Sequence, residues 1–162
     1  MPNPVKPIPD GFHTVTPYLI IRNAAAALDF YQRAFGAVEL YRLAMPDGKI
    51  GHALMKIGDS MVMLADESPT MGARGPETIG GSAVCLCLYV PDVDALTAQA
   101  EAAGAKILRP LANQFYGERS CYLADPFGHL WNLATHIEDV SSEEITRRAA
   151  AVPGAKPEAA TQ

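Results

Sequence analysis

With 162 residues, 49% of them hydrophobic and 19% charged, the chain is long enough to bury roughly two thirds of its unfolded surface and too apolar to stay disordered. A formal net charge of -5 with no basic run gives a phosphate backbone nothing to bind, so nucleic acid is excluded as an expected partner. No stretch of about twenty uninterrupted apolar residues occurs and residues 1–11 lack a signal-peptide core, so no membrane association and a cytoplasmic location are expected.

Residues 15–21 are β-branched and aromatic enough for a strand, and Asn23 then offers its side chain as a cap. Ala24, Ala27, Leu28, Tyr31, Ala34 and Phe35 recur at three- and four-residue intervals up to Gly36, a left-handed stop, which predicts an amphipathic helix. Residues 38–43, 50–57 and 61–65 follow as strands, parted by the turn signals Pro46-Asp47-Gly48 and Gly58-Asp59. The order is β, α, β, β, β.

After a Gly-, Pro- and Thr-rich loop at 68–81 the same order returns. Strand 83–90 leads to a cap at Asp92, a helix carrying Val93, Leu96, Ala100 and Ala103, and a stop at Gly104. Strands 106–109, 120–124 and 129–135 complete it, the last two joined by Asp125-Pro126-Phe127-Gly128, residues that suit a type I turn. Gly36-Ala37 and Gly104-Ala105 end the two helices alike, which supports an internal duplication. The chain thus divides into an N-terminal extension (1–13), a first βαβββ module (14–67), a linker (68–81), a second module (82–138), and a short charged helix with a disordered tail (139–162). One helix covers one face of each four-stranded sheet, so the other face needs a partner, and pairing two such sheets makes a cleft.

Cys85, Cys87 and Cys121 are odd in number, and Cys85 and Cys87 are spaced C-x-C rather than C-x-x-C, so they read as reduced, mostly buried thiols. There is no G-x-S-x-G, no phosphate-cradling glycine loop and no H-E-x-x-H helix.

Tyr18-Leu19-Ile20-Ile21-Arg22-Asn23, Ala27-Leu28-Asp29-Phe30-Tyr31 and Asp125-Pro126-Phe127-Gly128-His129-Leu130-Trp131 together resemble the vicinal-oxygen-chelate superfamily of glyoxalases, bleomycin-resistance proteins and dioxygenases, over roughly residues 15–137. The run from Gly58 to Glu67 and Tyr116-Gly117-Glu118-Arg119 look like its PhnB-like branch. The resemblance implies an α+β fold with paired curved mixed sheets around a cleft, and a homodimer. Metal-dependent relatives such as glyoxalase I take a His, Gln or Glu ligand from the first and last strands of each module. Counting from the matched motifs puts those positions on Thr16, Met63, Cys85 and Asn132, and a one-residue slip in register brings in no carboxylate or imidazole. Catalytic zinc needs about three protein ligands and harder ions need several oxygens. No metal or other cofactor is therefore expected, and the Lewis acid for enediolate chemistry is missing. A divalent metal on unconventional ligands such as His52 and Glu67 is the alternative.

Ala53, Met55 and Ile57 alternate with His52, Leu54 and Lys56, so the first set is expected beneath the helix and the second in the cleft. His52 is either a locally bonded sheet residue or a ligand-contacting donor and general base, which makes it the catalytic candidate. Arg119 offers its fork to an anionic ligand group, or pairs with Glu118 or Asp125. His129 and His136 read as structural, and Trp131 as core beneath the second helix, with drug stacking as the other option. Tyr18, Met61, Met63 and Cys87 share parity with the ligand positions, and Phe115 with Tyr116 forms an aromatic lip. The expected ligand-binding set is Thr16, Tyr18, His52, Met63, Cys85, Tyr116, Arg119 and Asn132. The expected function is metal-free binding of a small molecule in an apolar cleft, such as an aromatic or cationic antibiotic. The alternative is a lyase, isomerase or dioxygenase of the glyoxalase type.

Overall fold

Each half of the chain is organised around one capped helix. In the computed structural model, which describes residues 5–152, β1 (Tyr18–Ile21) leads through Asn23 into α1 (Ala24–Phe35), the Asn23 side chain accepting the Ala26 N–H at 3.2 Å. Gly36, at φ 66°, stops the helix in the left-handed region that a residue with a Cβ avoids. Strands β2 (Val38–Ala44), β3 (Ile50–Ile57) and β4 (Ser60–Asp66) follow. The linker holds a 3-10 turn at Pro69–Met71 and the short helix α2 (Pro76–Ile79). Then β5 (Cys85–Tyr89), α3 (Val93–Ala103), β6 (Lys106–Asn113), β7 (Glu118–Ala124) and β8 (Leu130–His136) repeat the order, and α4 (Ser142–Ala150) closes it. The tail expected to be disordered begins at Pro153 and lies outside the described residues.

The sheets run β1-β4-β3-β2 and β5-β8-β7-β6. β1 lies parallel to β4 and β5 parallel to β8, while the remaining pairs are antiparallel, so both sheets are mixed and open. The fold is α+β, as expected, with shifts at strand ends that have local causes. β1 begins at Tyr18 rather than 15 because Thr16 turns back to donate its hydroxyl to the His13 carbonyl at 3.0 Å, and Pro17 has no N–H to give. β5 begins at Cys85 rather than 83 because the Ser82 hydroxyl donates to the Val84 carbonyl and accepts the Val84 N–H. β6 runs past 109 to Asn113, carrying Pro110 on an edge strand whose register shifts on either side of Arg109. Among the described residues no helix is long and apolar enough to cross a membrane.

The core is shared by the two modules. α1 buries Ala27, Leu28, Phe30, Tyr31, Ala34 and Phe35, and it packs directly on α3. The Gln99 amide donates to the Arg33 carbonyl at 2.9 Å, and Arg33 donates to the Ala103 carbonyl at 3.3 Å. Trp131 is core, 2% exposed, on a strand that packs against α3 as expected, and its aromatic ring partners are Phe35 and Tyr31 of α1. The buried side chains of α3 are small, Val93, Thr97 and Ala100, and the large rings of α1 fill the space beside them.

Asp125 ties this core together at 5% exposure. It opens the expected Asp-Pro-Phe-Gly turn, in which the Gly128 N–H reaches its carbonyl at 3.1 Å. Its carboxyl accepts the Tyr31 hydroxyl at 2.6 Å, the Trp131 indole N–H at 3.0 Å, and the backbone N–H groups of Phe127 and His129. Burial and the neighbouring Asp125 push the Tyr31 phenol well above its ordinary range, so it remains a proton donor to the carboxyl. His129 is structural too, its Nε2 lying 3.1 Å from the Ile20 carbonyl on the free edge of β1.

Candidate functional site

A strand pleat sends alternate side chains to opposite faces, so burying one set beneath a helix fixes where the other set points. In the first module Leu19, Ile21, Ala53, Met55, Val62 and Leu64 are buried on the α1 side. The opposite face carries a cross-strand row, Tyr18 beside Met63, Met63 beside Leu54, and Leu54 beside Tyr41. Tyr18 and Tyr41 are 45% and 52% exposed, so much of this face is open, with Gly11 of the N-terminal extension approaching Met61 on it. His52 shares it, as its parity with Leu54 predicts, with Nδ1 2.9 Å from the Tyr18 hydroxyl and the Tyr41 ring nearby.

The second module repeats the row with different chemistry. Cys87 lies beside Asn132, Asn132 beside Tyr122, and Tyr122 beside Arg109. By strand order Tyr18 corresponds to Cys87, Met63 to Asn132, Leu54 to Tyr122 and Tyr41 to Arg109. One row is apolar and aromatic, the other polar with a cation.

Two recesses open beside these rows. The larger, about 520 Å³, lies between β1, β5 and the linker, walled by Val15, Pro17, Tyr18, Ile79, Val84 and Leu130. The smaller, about 100 Å³, is formed wholly by the second module, with Arg109, Gln114, Tyr116, Ser120, Tyr122 and Asn132 among its walls. Tyr116 packs edge-on to Phe115 at 5.2 Å, so the aromatic lip is present. The lip is pinned from behind. The Gly117 carbonyl accepts the N–H groups of Ile137 and Glu138, and Arg148 of α4 donates to the Phe115 carbonyl at 3.2 Å while pairing with Glu138 at 2.7 Å.

The structure therefore brings together part of the expected site. Tyr18, His52 and Met63 share one face, and Cys85, Tyr116 and Asn132 the other. Burial pushes the half-buried Cys85 thiol above its ordinary range, which disfavours the nucleophilic thiolate. Thr16 precedes β1 and spends its hydroxyl on His13. Arg119 stands apart: its parity with buried Cys121 and Leu123 turns it toward α3, where Asp94 takes its fork at 2.6 and 2.7 Å and Asn113 takes a further N–H. The carboxylate partner is Asp94, not Glu118 or Asp125. Sequence reading missed Arg109, Tyr122 and Tyr41. Tyr122 was legible from its alternation with Cys121 and Leu123, whereas Arg109 stood at an apparent strand end.

The donor set does not fit a metal. Thr16, Met63, Cys85 and Asn132, or Tyr18 and Cys87 beside them, offer no carboxylate or imidazole. Among the described residues no three His, Cys, Asp or Glu side chains converge as a metal site. Glu67 is engaged by the Gly75 N–H at 2.7 Å and by Arg22, while His52 faces Tyr18.

A family model described as Glyoxalase/Bleomycin resistance protein/Dioxygenase superfamily matches residues 11–133. An uncharacterised protein of Mycobacterium bovis is 43% identical over 134 residues, 81% of this chain and 88% of that protein. Among solved structures, TioX from Micromonospora sp. ML1 superposes with a TM-score of 0.63 at 29% identity, covering 77% of this chain and 99% of its own. The fosfomycin resistance protein FosX from Listeria monocytogenes shares the fold at TM-score 0.59 and 20% identity, over 82% of this chain and 97% of its own.

Proposed function

Because the chain belongs to the glyoxalase/bleomycin resistance protein/dioxygenase superfamily, we propose that it binds an organic small molecule without a metal, in the groove where its two modules meet. The observation that carries this reading is the apolar recess of about 520 Å³ between β1 and β5, within the usual size range of ligand sites. Tyr18 and Leu130, each the open-face residue of its strand, connect that groove to the exposed rows. Antibiotic sequestration belongs to this reading, supported by the bleomycin-resistance branch of the family and by the likeness to a fosfomycin resistance protein. A cytoplasmic location and PhnB-like membership belong to it as well, the latter supported by Tyr116-Gly117-Glu118-Arg119.

The partner of the open faces in this proposal is a second copy of the chain. Ile79 and Val84 are 60% and 62% exposed beside the groove, and Tyr41 and Leu43 are exposed on β2, an apolar surface that a homodimer would withdraw from water. Sedimentation of the purified protein at micromolar concentration is expected to give a dimer. A monomer at every concentration would remove the second copy from the proposal.

The reading is tested by thermal shift and calorimetric titration with a panel of aromatic and heteroaromatic antibiotics. Saturable binding that is lost in Leu130→Asp or Tyr18→Ala supports it. A panel with no saturable binder overturns it. A metal-free catalytic role, with His52 as base, is favoured by one feature, the Tyr18–His52 pair at 2.9 Å. Turnover of a bound compound that disappears in His52→Gln would establish that role instead.

A further inference from the structure

We propose that the smaller recess of the second module is an oxyanion subsite built on Arg109, and that the ligand is an amphipathic organic anion. Its carboxylate, or another oxyanion group, pairs with Arg109 while its apolar body lies in the larger groove. This rests on the small-molecule reading above and narrows it to one chemical class.

Arg109 on β6 stands directly across from Tyr122 on β7, with its guanidinium carbon 4.5 Å from the ring centroid. This cation–π contact holds the guanidinium over the ring, and no hydrogen bond or ion pair among the described residues takes up its N–H groups, which leaves donors for an oxyanion. Most other guanidinium groups among the described residues are already engaged, while Arg74 stands on the wall of the larger recess, apart from the polar row. Arg42 pairs with Glu39, Arg119 with Asp94, Arg147 with Glu144, and Arg148 with Glu138 and Glu144. Among the described residues no ion pair engages Arg109. The recess it borders is walled by Gln114, Tyr116, Ser120, Tyr122 and Asn132, neutral side chains with hydrogen-bonding groups, and no carboxylate stands among its walls. An anion placed there meets donors and a cation without local repulsion.

The two recesses lie within reach of one small molecule. Leu130 borders the larger and Asn132 the smaller, two residues apart on one face of β8, a spacing of about 7 Å. A carboxylate joined to a one- or two-ring body spans that step. The volumes match this division, about 520 Å³ for the body and about 100 Å³ for a group of a few atoms. The net charge of -5 by itself favours a cationic ligand, but salt screens distant charges beyond about 8 Å, so the groups touching the ligand decide.

Three matched probes separate these possibilities: naphthoate, the neutral naphthamide, and naphthylmethylammonium, titrated calorimetrically into the full chain and into Arg109→Met and Arg109→Lys. Naphthoate is expected to bind the unaltered protein at least about tenfold tighter than naphthamide, the ratio that one charge-assisted bond supplies. Arg109→Met should erase that preference, weakening naphthoate far more than naphthamide, while Arg109→Lys restores part of it. Naphthoate should also shift the Asn132 side-chain amide resonances, a readout that general loss of fold does not mimic. Equal affinity for the three probes, a preference for the ammonium, or a naphthoate preference that survives in Arg109→Met overturns the subsite while small-molecule binding stands. Absence of binding by all three overturns both.

Discussion

Trp131 of β8 lies against Phe35 of α1 with ring centroids 4.7 Å apart, and its indole N–H is held by the Asp125 carboxyl at 3.0 Å. The modules are thus joined by aromatic packing and one buried acid rather than by a shared sheet, since the two sheets do not pair. Both halves of the groove keep their relative position through this junction.

Tyr31→Phe removes one donor from Asp125 while keeping the ring. Hydrogen bonds to a charged or strongly polar group contribute about 1.5–3 kcal/mol, so the unfolding free energy from urea titration should fall by that amount, with a lower midpoint at an unchanged slope. An unchanged midpoint would mean that Trp131, Phe127 and His129 satisfy the carboxyl without it.

The same pair sets an alkaline limit. The Tyr31 phenol is raised above 10.0 in the folded chain by burial and by Asp125, so above that pH the unfolded chain loses a proton that the folded chain keeps. Fewer protons bound in the unfolded state means that stability falls with rising pH. The contribution is full below about pH 10 and is lost as pH climbs through the folded value; Tyr31→Phe should flatten that part of the stability–pH curve.

At the acid end the sensitive element is α4. Glu144 is lowered to about 2 by its bonds to Arg147 and Arg148, and Glu138 is lowered by Arg148. Depressed carboxylates stabilise the fold above their ordinary value of 4.5 and lose that effect as pH falls toward the folded value. Acidification from about pH 4.5 to about 2 should therefore release α4 and unpin the Phe115–Tyr116 lip. Because these pairs are exposed, the signature is local: faster amide exchange at 115–117 before global unfolding.

Gly117 has φ 91°, and a Cβ there would collide with the Glu138 carbonyl oxygen. Gly117→Ala is expected to cost about 1–3 kcal/mol from backbone strain alone and to displace the lip. Wild-type melting behaviour and unshifted Tyr116 resonances in that variant would contradict the pinning described above.

Metal analysis of the purified protein should find well under one divalent ion per chain, given donor positions occupied by Thr16, Met63, Cys85 and Asn132. A stoichiometric ion that survives dialysis and is lost in His52→Ala would overturn the metal-free proposal.

Local rules carried most of the fold into the sequence. Asn23 and Asp92 cap the helices, Gly36 and Gly104 end them in the left-handed region, and Asp125 to Gly128 forms its turn, because each depends on a few adjacent atoms. Parity also placed His52 and Tyr18 on one face. What the chain order left open was long-range: that the rings of α1 also reach Trp131 depends on how little volume α3 fills. The two arginines exchanged places for local reasons. Arg119 belongs to the set that includes Cys121 and Leu123, and counting by two from either would have turned it away from the cleft. Arg109 sits between two register shifts in β6, where counting by two gives no guide.

The corresponding rows, Tyr18–Met63–Leu54–Tyr41 and Cys87–Asn132–Tyr122–Arg109, stand on separate sheets whose buried faces are fixed independently of them. Neither row shares a strand pairing with the other. The scaffold can therefore be retuned in halves, one row altered for a new ring system and the other for a new charged group, with the two changes combined afterwards. On the binding reading proposed above, preference for the body of a ligand and preference for its head would be separately heritable traits of the same small protein.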